Sequence, residues 1–450
     1  MKQTFTYLAI VAIFITAVGF IIVKYNHDEQ QKANAVYGVK ERRGAQAQTA
    51  EWVSTRTTAN NLLNAIKQNP DDSKSKLELA SLFIQEARVT GDYFYYDAAA
   101  MKYVNDVLKK DPAHFEALIY KAIIQLSQHH FAEGLATAAR AQTINPYNAF
   151  VYGIMVDANV ELGNYAAAVA HADKMVSIRP DLRSYSRIAY LREIHGDIPG
   201  AIEAMKMAIE AGMPGHESTE WCRAQLGQLY EQSGDTRSAE TQYSISLEER
   251  PAYAYALAGM ARIAAFNKNY EQALGHYRQA YDMINDYAFK ENMVEIYRLQ
   301  GKQQAADKLA KEMIEEMQQV SANIGEDSAG HYSDRELAYA YLAVNNTNKA
   351  LEHARLEYNR RPANMDVNET IAWVYYKQNA PDKALPHIKM ALQTNSKNPT
   401  LLARAGLIYY QAGDKVKAMQ LLQQALQQKP VLSPVLQQEC ISTLQTLQKG

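Results

Sequence analysis

Cysteine is nearly absent: Cys222 and Cys440 are the only two in 450 residues. One pair in distant segments builds neither a disulfide framework nor a cysteine metal site. A surplus of either charge is missing too, since Lys plus Arg number 47 against Asp plus Glu at 49, for a formal net charge of -2. Nucleic-acid binders ordinarily carry a basic excess, so no nucleic acid is expected as a partner. There is no glycine-rich phosphate loop, no HExxH and no Gly-x-Ser-x-Gly, which removes the common nucleotide, metalloprotease and hydrolase chemistries. No catalytic residue, metal or cofactor is therefore expected. Trp (3) and Phe (10) are scarce, whereas Tyr reaches 30.

One uncharged run stands out, Phe5 to Val23. As a helix it reaches roughly 28 Å, close to a bilayer core of about 30 Å. Ala17-Val18-Gly19 offers a small-x-small cleavage site, but Phe20 to Val23 continue the apolar run beyond it, which favours an uncleaved anchor over a signal peptide. The expectation is a single-pass membrane anchor over 1–24, with the following domain extracytoplasmic. Counting Lys24, Lys32, Lys40, Arg42 and Arg43 after the run would place it in the cytoplasm instead. Residues 25–50 are polar and aperiodic, as in a stalk, and 51–72 predict a capping helix ending before Pro70.

From there the chain repeats itself. Ala350, Ala384 and Ala418 recur at 34 residues, as do Tyr341, Tyr375 and Tyr409. A fixed period of this length predicts stacked helix pairs. Ten repeats are placed, starting at Ser73, Phe115, Ala149, Leu182, Glu220, Ala254, Tyr287, His331, Met365 and Pro399. Seven fill 73–318, a polar loop follows at 319–330, three fill 331–432, and 433–450 predict a C-terminal cap helix. Position 8 of the repeat is small (Ala80, Ala122, Ala338, Ala372), and so is position 20 (Ala168, Ala239, Ala350, Ala384). Helices of a pair cross closely there, and overpacking costs about 1–3 kcal/mol. Position 15 is Gly163, Gly196, Gly234, Gly301 or Gly413, with Asn345 and Asn379 elsewhere, all tolerant of the left-handed backbone that ends a helix. Proline at position 32 (Pro112, Pro146, Pro180, Pro251, Pro362, Pro430) separates one repeat from the next.

Leu226-Gly227, Tyr230, Gly234-Asp235, Ala239, Tyr243 and Pro251 follow the tetratricopeptide pattern, and the chain resembles that family over about residues 73 to 432. The C-terminal repeats are also similar to bacterial repeat proteins of unassigned activity. The resemblance implies an all-α, right-handed superhelical solenoid whose concave groove, lined by the first helix of each repeat, holds a peptide or partner protein.

The groove-facing positions bring out Arg183, Arg187 and Tyr190 in repeat 4, Arg262 in repeat 6 and Arg298 in repeat 7. Repeats 8 to 10 add Arg335, Tyr339, Trp373 and Arg404. Guanidinium forks bind carboxylates while rings supply rigid apolar area, the mixture enriched at binding hot spots. A partner segment with acidic or carboxylate groups is expected, on a scaffold that assembles other proteins. The alternatives are an exported glycan- or cell-wall-binding solenoid, whose rings would stack on sugars, and an enzyme of unfamiliar type. Tyr339 can equally pack between adjacent helices; Trp373 and Arg404 are less easily spent that way. His129-His130, at the turn of repeat 2, is expected to be exposed.

Overall fold

The structure is a computed structural model that describes residues 37–322 and 331–449, together with Phe14, Thr16, 18–21, Val23 and Lys24. All regular structure among the described residues is helical. After a short 3-10 turn at Gly44–Gln48, α1 spans Ala50–Gln68. Ten antiparallel helix pairs follow: α2 Ser73–Thr90 and α3 Tyr93–Lys110; α4 Phe115–Ser127 and α5 Phe131–Ile144; α6 Ala149–Glu161 and α7 Tyr165–Ile178; α8 Leu182–Ile194 and α9 Ile198–Glu210; α10 Glu217–Gln232 and α11 Thr236–Glu249; α12 Ala254–Phe266 and α13 Tyr270–Met283; α14 Tyr287–Leu299 and α15 Gln303–Ala322; α16 Asp334–Ala343 and α17 Thr347–Arg360; α18 Met365–Lys377 and α19 Pro381–Ala391; α20 Pro399–Gln411 and α21 Lys415–Leu426. Helix α22, Pro434–Lys449, closes the array.

The helices start where short polar side chains can take up free N–H groups. Asn148 accepts from Phe150 and Val151, Asn364 from Val367, and Asp181 forms a reciprocal capping box with Ser184. Within each pair the small residues are fully buried: Ala122, Ala338 and Ala372 on first helices, Ala168, Ala239, Ala350 and Ala384 on second helices. Both cysteines are free and buried.

The N-terminal anchor and the membrane localisation built on it are corrected. Among the described residues no helix is long and apolar enough to cross a membrane. A crossing takes about 20 consecutive apolar residues; most of 1–24 lies outside the described residues. The stretch expected to be a stalk lies against the array over its described part. Arg42, 4% exposed, donates to both oxygens of Glu86 at 3.0 and 2.5 Å and to Glu51 at 2.7 Å. Arg43 reaches Asn285 at 2.6 Å. The expected loop at 319–330 begins as helix, because α15 runs to Ala322; 323–330 lie outside the described residues.

The array also coils until it meets itself. The turn of each of the first five repeats lies on the segment that follows the repeat five places later. Gly91 sits against Ile284 and Asn285. The Tyr332 N–H donates to the Gln128 carbonyl at 3.3 Å. Asn364 donates to the Val160 carbonyl at 3.3 Å, and the Met365 N–H to the Tyr165 hydroxyl at 2.8 Å. Gly196 lies on Asn395 and Gly234 on Gln428, where the Val431 N–H donates to the Glu231 carbonyl at 2.9 Å. Arg361 is buried at this seam, paired with Glu161 across it and with Glu357 on its own side. Two turns of helix pairs are thus stacked in direct contact, five repeats over five.

Candidate binding groove

First helices of neighbouring repeats lie side by side, so groove-facing residues about one period apart become neighbours. Three of the expected arginines are consumed by this rule. Arg187 on α8 donates through Nε to Asp157 and to the Gly153 carbonyl, at 2.9 and 3.1 Å, and through Nη2 to Asp157 at 2.5 Å. Arg262 on α12 grips Glu231 with two bonds of 2.9 Å and also donates to the Tyr243 hydroxyl at 3.1 Å. Burial opposes its charge, yet Glu231 holds the guanidinium well above its ordinary range. Arg404 on α20 donates through Nη1 to Glu369 at 2.9 Å and to the Tyr339 hydroxyl at 2.8 Å.

The structure gathers four expected residues into one cluster on α16, α18 and α20. Arg335 donates to Thr370 at 3.3 Å, and the same hydroxyl donates to Tyr339. The Arg404 guanidinium lies 5.0 Å from the Trp373 ring and 5.2 Å from that of Tyr339. Trp373 is 8% exposed and stacks on Tyr376 at 4.7 Å. Burial works against both guanidiniums, but Tyr339 with Glu369 raises Arg404, and Asp366 with Tyr339 raises Arg335. Trp373 and Arg404, expected to be free for a ligand, are thus committed to holding adjacent helices together. Arg298 is separate: it donates to the Ala343 carbonyl and lies 3.7 Å from Asp307.

Repeat 4 differs. Arg183 is exposed and its guanidinium lies over the Phe150 ring at 4.5 Å, with no carboxylate among its described side-chain contacts. Burial, then the neighbouring Arg187, lowers its pKa. Tyr190, 37% exposed, has its phenol raised well above the ordinary value by the protein crowded around it, then by Asp366 and Glu161. Arg183 and Tyr190 are two turns apart on one face of α8, about 10 Å.

Sequence reasoning put Glu291 and Glu295 opposite Arg298 on the groove face and missed the rest of its acidic side. Asp157, Glu231 and Glu369 neutralise the arginines one repeat on, at separations of 30, 31 and 35 residues. Opposite charges one period apart on the groove face were the available signal. Glu291 also belongs here, its carboxyl pushed up to about 7 by burial, with Arg404 and Arg335 lowering it and Glu295 and Glu336 raising it. His129, expected to be exposed, is instead half-buried and packs against His331, centroids 4.2 Å apart and rings tilted by 46°.

One family model described as tetratricopeptide repeat matches residues 358–437, and another of the same description matches residues 225–288. Over these two stretches the chain carries tetratricopeptide repeats. A search of curated proteins finds no match. Among solved structures, a thermophilic tetratricopeptide-repeat protein of Thermus thermophilus is 21% identical over 40% of this chain and 92% of its own, with a TM-score of 0.35. Human IFIT1 is 15% identical over 77% of this chain and 80% of its own, at 0.47. Yeast Tom70 is 11% identical over 89% and 94%, at 0.35. Nothing about ligands or partners follows from likeness at this level.

Proposed function

We propose that this chain is a protein-interaction scaffold that holds an acidic, extended segment of a partner against repeat 4 and carries out no chemistry of its own. The observation that carries the reading is the contrast within the groove: the other arginines are spent on carboxylates, carbonyls or hydroxyls of the chain itself, whereas Arg183 keeps an exposed guanidinium and Tyr190 an exposed ring on one helix face. A carboxylate would bind at Arg183, and an apolar side chain would lie on Tyr190. Arg187, held by Asp157, sits between them on the same helix.

The test is capture of partners by the full chain beside the variant Arg183→Ala/Tyr190→Ala, with bound proteins identified by mass spectrometry and then titrated with salt. The expected result is loss of a specific partner from the variant, with unchanged helicity, and affinity that falls as ionic strength rises because the contact is charge-assisted and half-exposed. Equal capture by both chains moves the site off repeat 4. Binding that ignores salt excludes the carboxylate contact.

A further inference from the structure

The seam between the two turns carries a pair of histidines that the groove does not use. His129 ends the turn of repeat 2 in the left-handed conformation, φ 63°, and His331 precedes repeat 8 on the other turn of the array. Their rings lie 4.2 Å apart between centroids. The Nδ1 of His129 is 2.7 Å from the Tyr332 carbonyl, and the Nδ1 of His331 is 2.9 Å from the Ser127 carbonyl. A carbonyl only accepts, so each ring spends an Nδ1–H across the seam, and in its neutral form Nε2 is the basic nitrogen. The contact is reciprocal: each turn donates one imidazole N–H to the other's backbone. Phe131 stacks behind His129 at 5.4 Å, and Tyr332 stacks on His130 at 4.4 Å, so that the pair is half-buried.

We propose that His129 and His331 form an acid-released latch that holds the second turn of the array on the first near neutral pH and lets this part of the seam open as pH falls. Closed, the pair has no room for two charges in contact. Burial lowers both histidines to about 4, His331 further pressed by His129 itself. The surrounding charges divide. Arg361 and Arg335 oppose a proton on His129 and Glu357 favours it; His130 opposes one on His331 and Glu336 favours it. Arg360 lies over the Tyr332 ring and is itself paired with Asp334, which also holds His353. Behind the seam, the Ser127 hydroxyl donates to Asp97 at 2.6 Å.

The sign follows from linkage. A base whose pKa is depressed in the closed state costs nothing above its open-state value of 6.5, and the closed state weakens as pH falls from there toward 4. Opening takes up two protons, so the ratio of closed to open falls by up to roughly 100-fold per pH unit in that window. Release thus begins well above the pKa of either ring in the closed state. The device is independent of the partner proposed for repeat 4, and its test needs none.

The experiment is hydrogen exchange of the full chain, read by mass spectrometry on peptides covering 127–131 and 331–333, at pH 7.5, 6.5, 5.5 and 4.5 after correction for intrinsic exchange rates. Small-angle scattering follows maximum dimension in the same samples. The comparison is His129→Asn/His331→Gln, which keeps amide donors without a titrating ring; Asn already serves the same left-handed turn position at Asn345 and Asn379. The wild-type chain is expected to lose protection at the seam below pH 6.5 with helicity retained, and the double variant to show no such loss. The single variant His331→Gln should lose it with half the slope, about 10-fold per unit, and decides the matter if the double variant does not fold. Seam protection in the wild type that is flat from pH 7.5 to 4.5, or the same pH dependence in the variants, overturns the proposal.

Discussion

The turns of repeats 3 and 5 and those of repeats 7 and 10 are built alike: each places glycine in the left-handed conformation, at Gly163, Gly234, Gly301 and Gly413. What surrounds them is different. A Cβ on Gly163 would overlap the Ala363 backbone and one on Gly234 the Gln428 carbonyl, whereas nothing lies within 4 Å of that position at Gly301 or Gly413. One residue type thus answers two demands. In the second turn of the array glycine serves backbone conformation alone; in the first it also lets another stretch of chain come within contact.

The sharpest way to break this comparison is to remove the charge that the seam encloses. Arg361→Ala leaves the half-buried Glu161 without its cation and Glu357 with Arg360 alone, which should cost about 3 kcal/mol, the low end for breaking a buried pair. Urea denaturation should show that fall; a loss under about 1 kcal/mol, the range of an exposed pair, would mean that water reaches the seam. Next come the glycines. Gly234→Ala should destabilise by about 2–4 kcal/mol, combining left-handed strain with overpacking. Equal losses for Gly234→Ala and Gly413→Ala would show that the stacked turns give way easily.

Asp97 sharpens the comparison through pH. It is 3% exposed, and burial raises its carboxyl to about 7, against which the Ser127 hydroxyl pulls down. A folded pKa above the unfolded one means stability that is fully present below the ordinary carboxylate range and lost as pH rises through about 7, near 1.4 kcal/mol per unit. Asp97→Asn should remove this slope in denaturation curves taken between pH 5 and 8, and an unaltered slope would exclude Asp97 as its source. The smallest effect belongs to the open turns, where Gly301→Ala and Gly413→Ala should each cost about 1–2 kcal/mol for backbone strain alone.

The helix pairs were legible because the physics that makes them is local and periodic. Small residues such as Ala122 and Ala350 recur wherever two helices cross, and the 34-residue spacing carries through the chain. The groove was half legible. Position in the repeat identified Arg187, Arg262 and Arg404 as facing inward, but their partners Asp157, Glu231 and Glu369 lie one repeat away, and charge on a single helix does not disclose what stands opposite. The seam was not legible at all. It depends on how many repeats complete a turn, a quantity summed from small rotations that no single residue reports, so His129 passed for an exposed turn residue and Gly163 for an ordinary helix ending.

The stacking of five repeats over five also bears on cooperativity and on length. In a linear array each unit leans only on its neighbours, and units are gained or lost one at a time with nearly additive effect. Here Asn364 is tied to Val160, Val431 to Glu231 and Arg43 to Asn285. Contacts between residues so far apart along the chain slow folding and bind distant segments into one transition. A repeat removed from the C-terminal end would strip the cover from repeat 5, and one inserted in the middle would shift every later segment off its seat. Such a protein varies its repeats in sequence far more freely than in number.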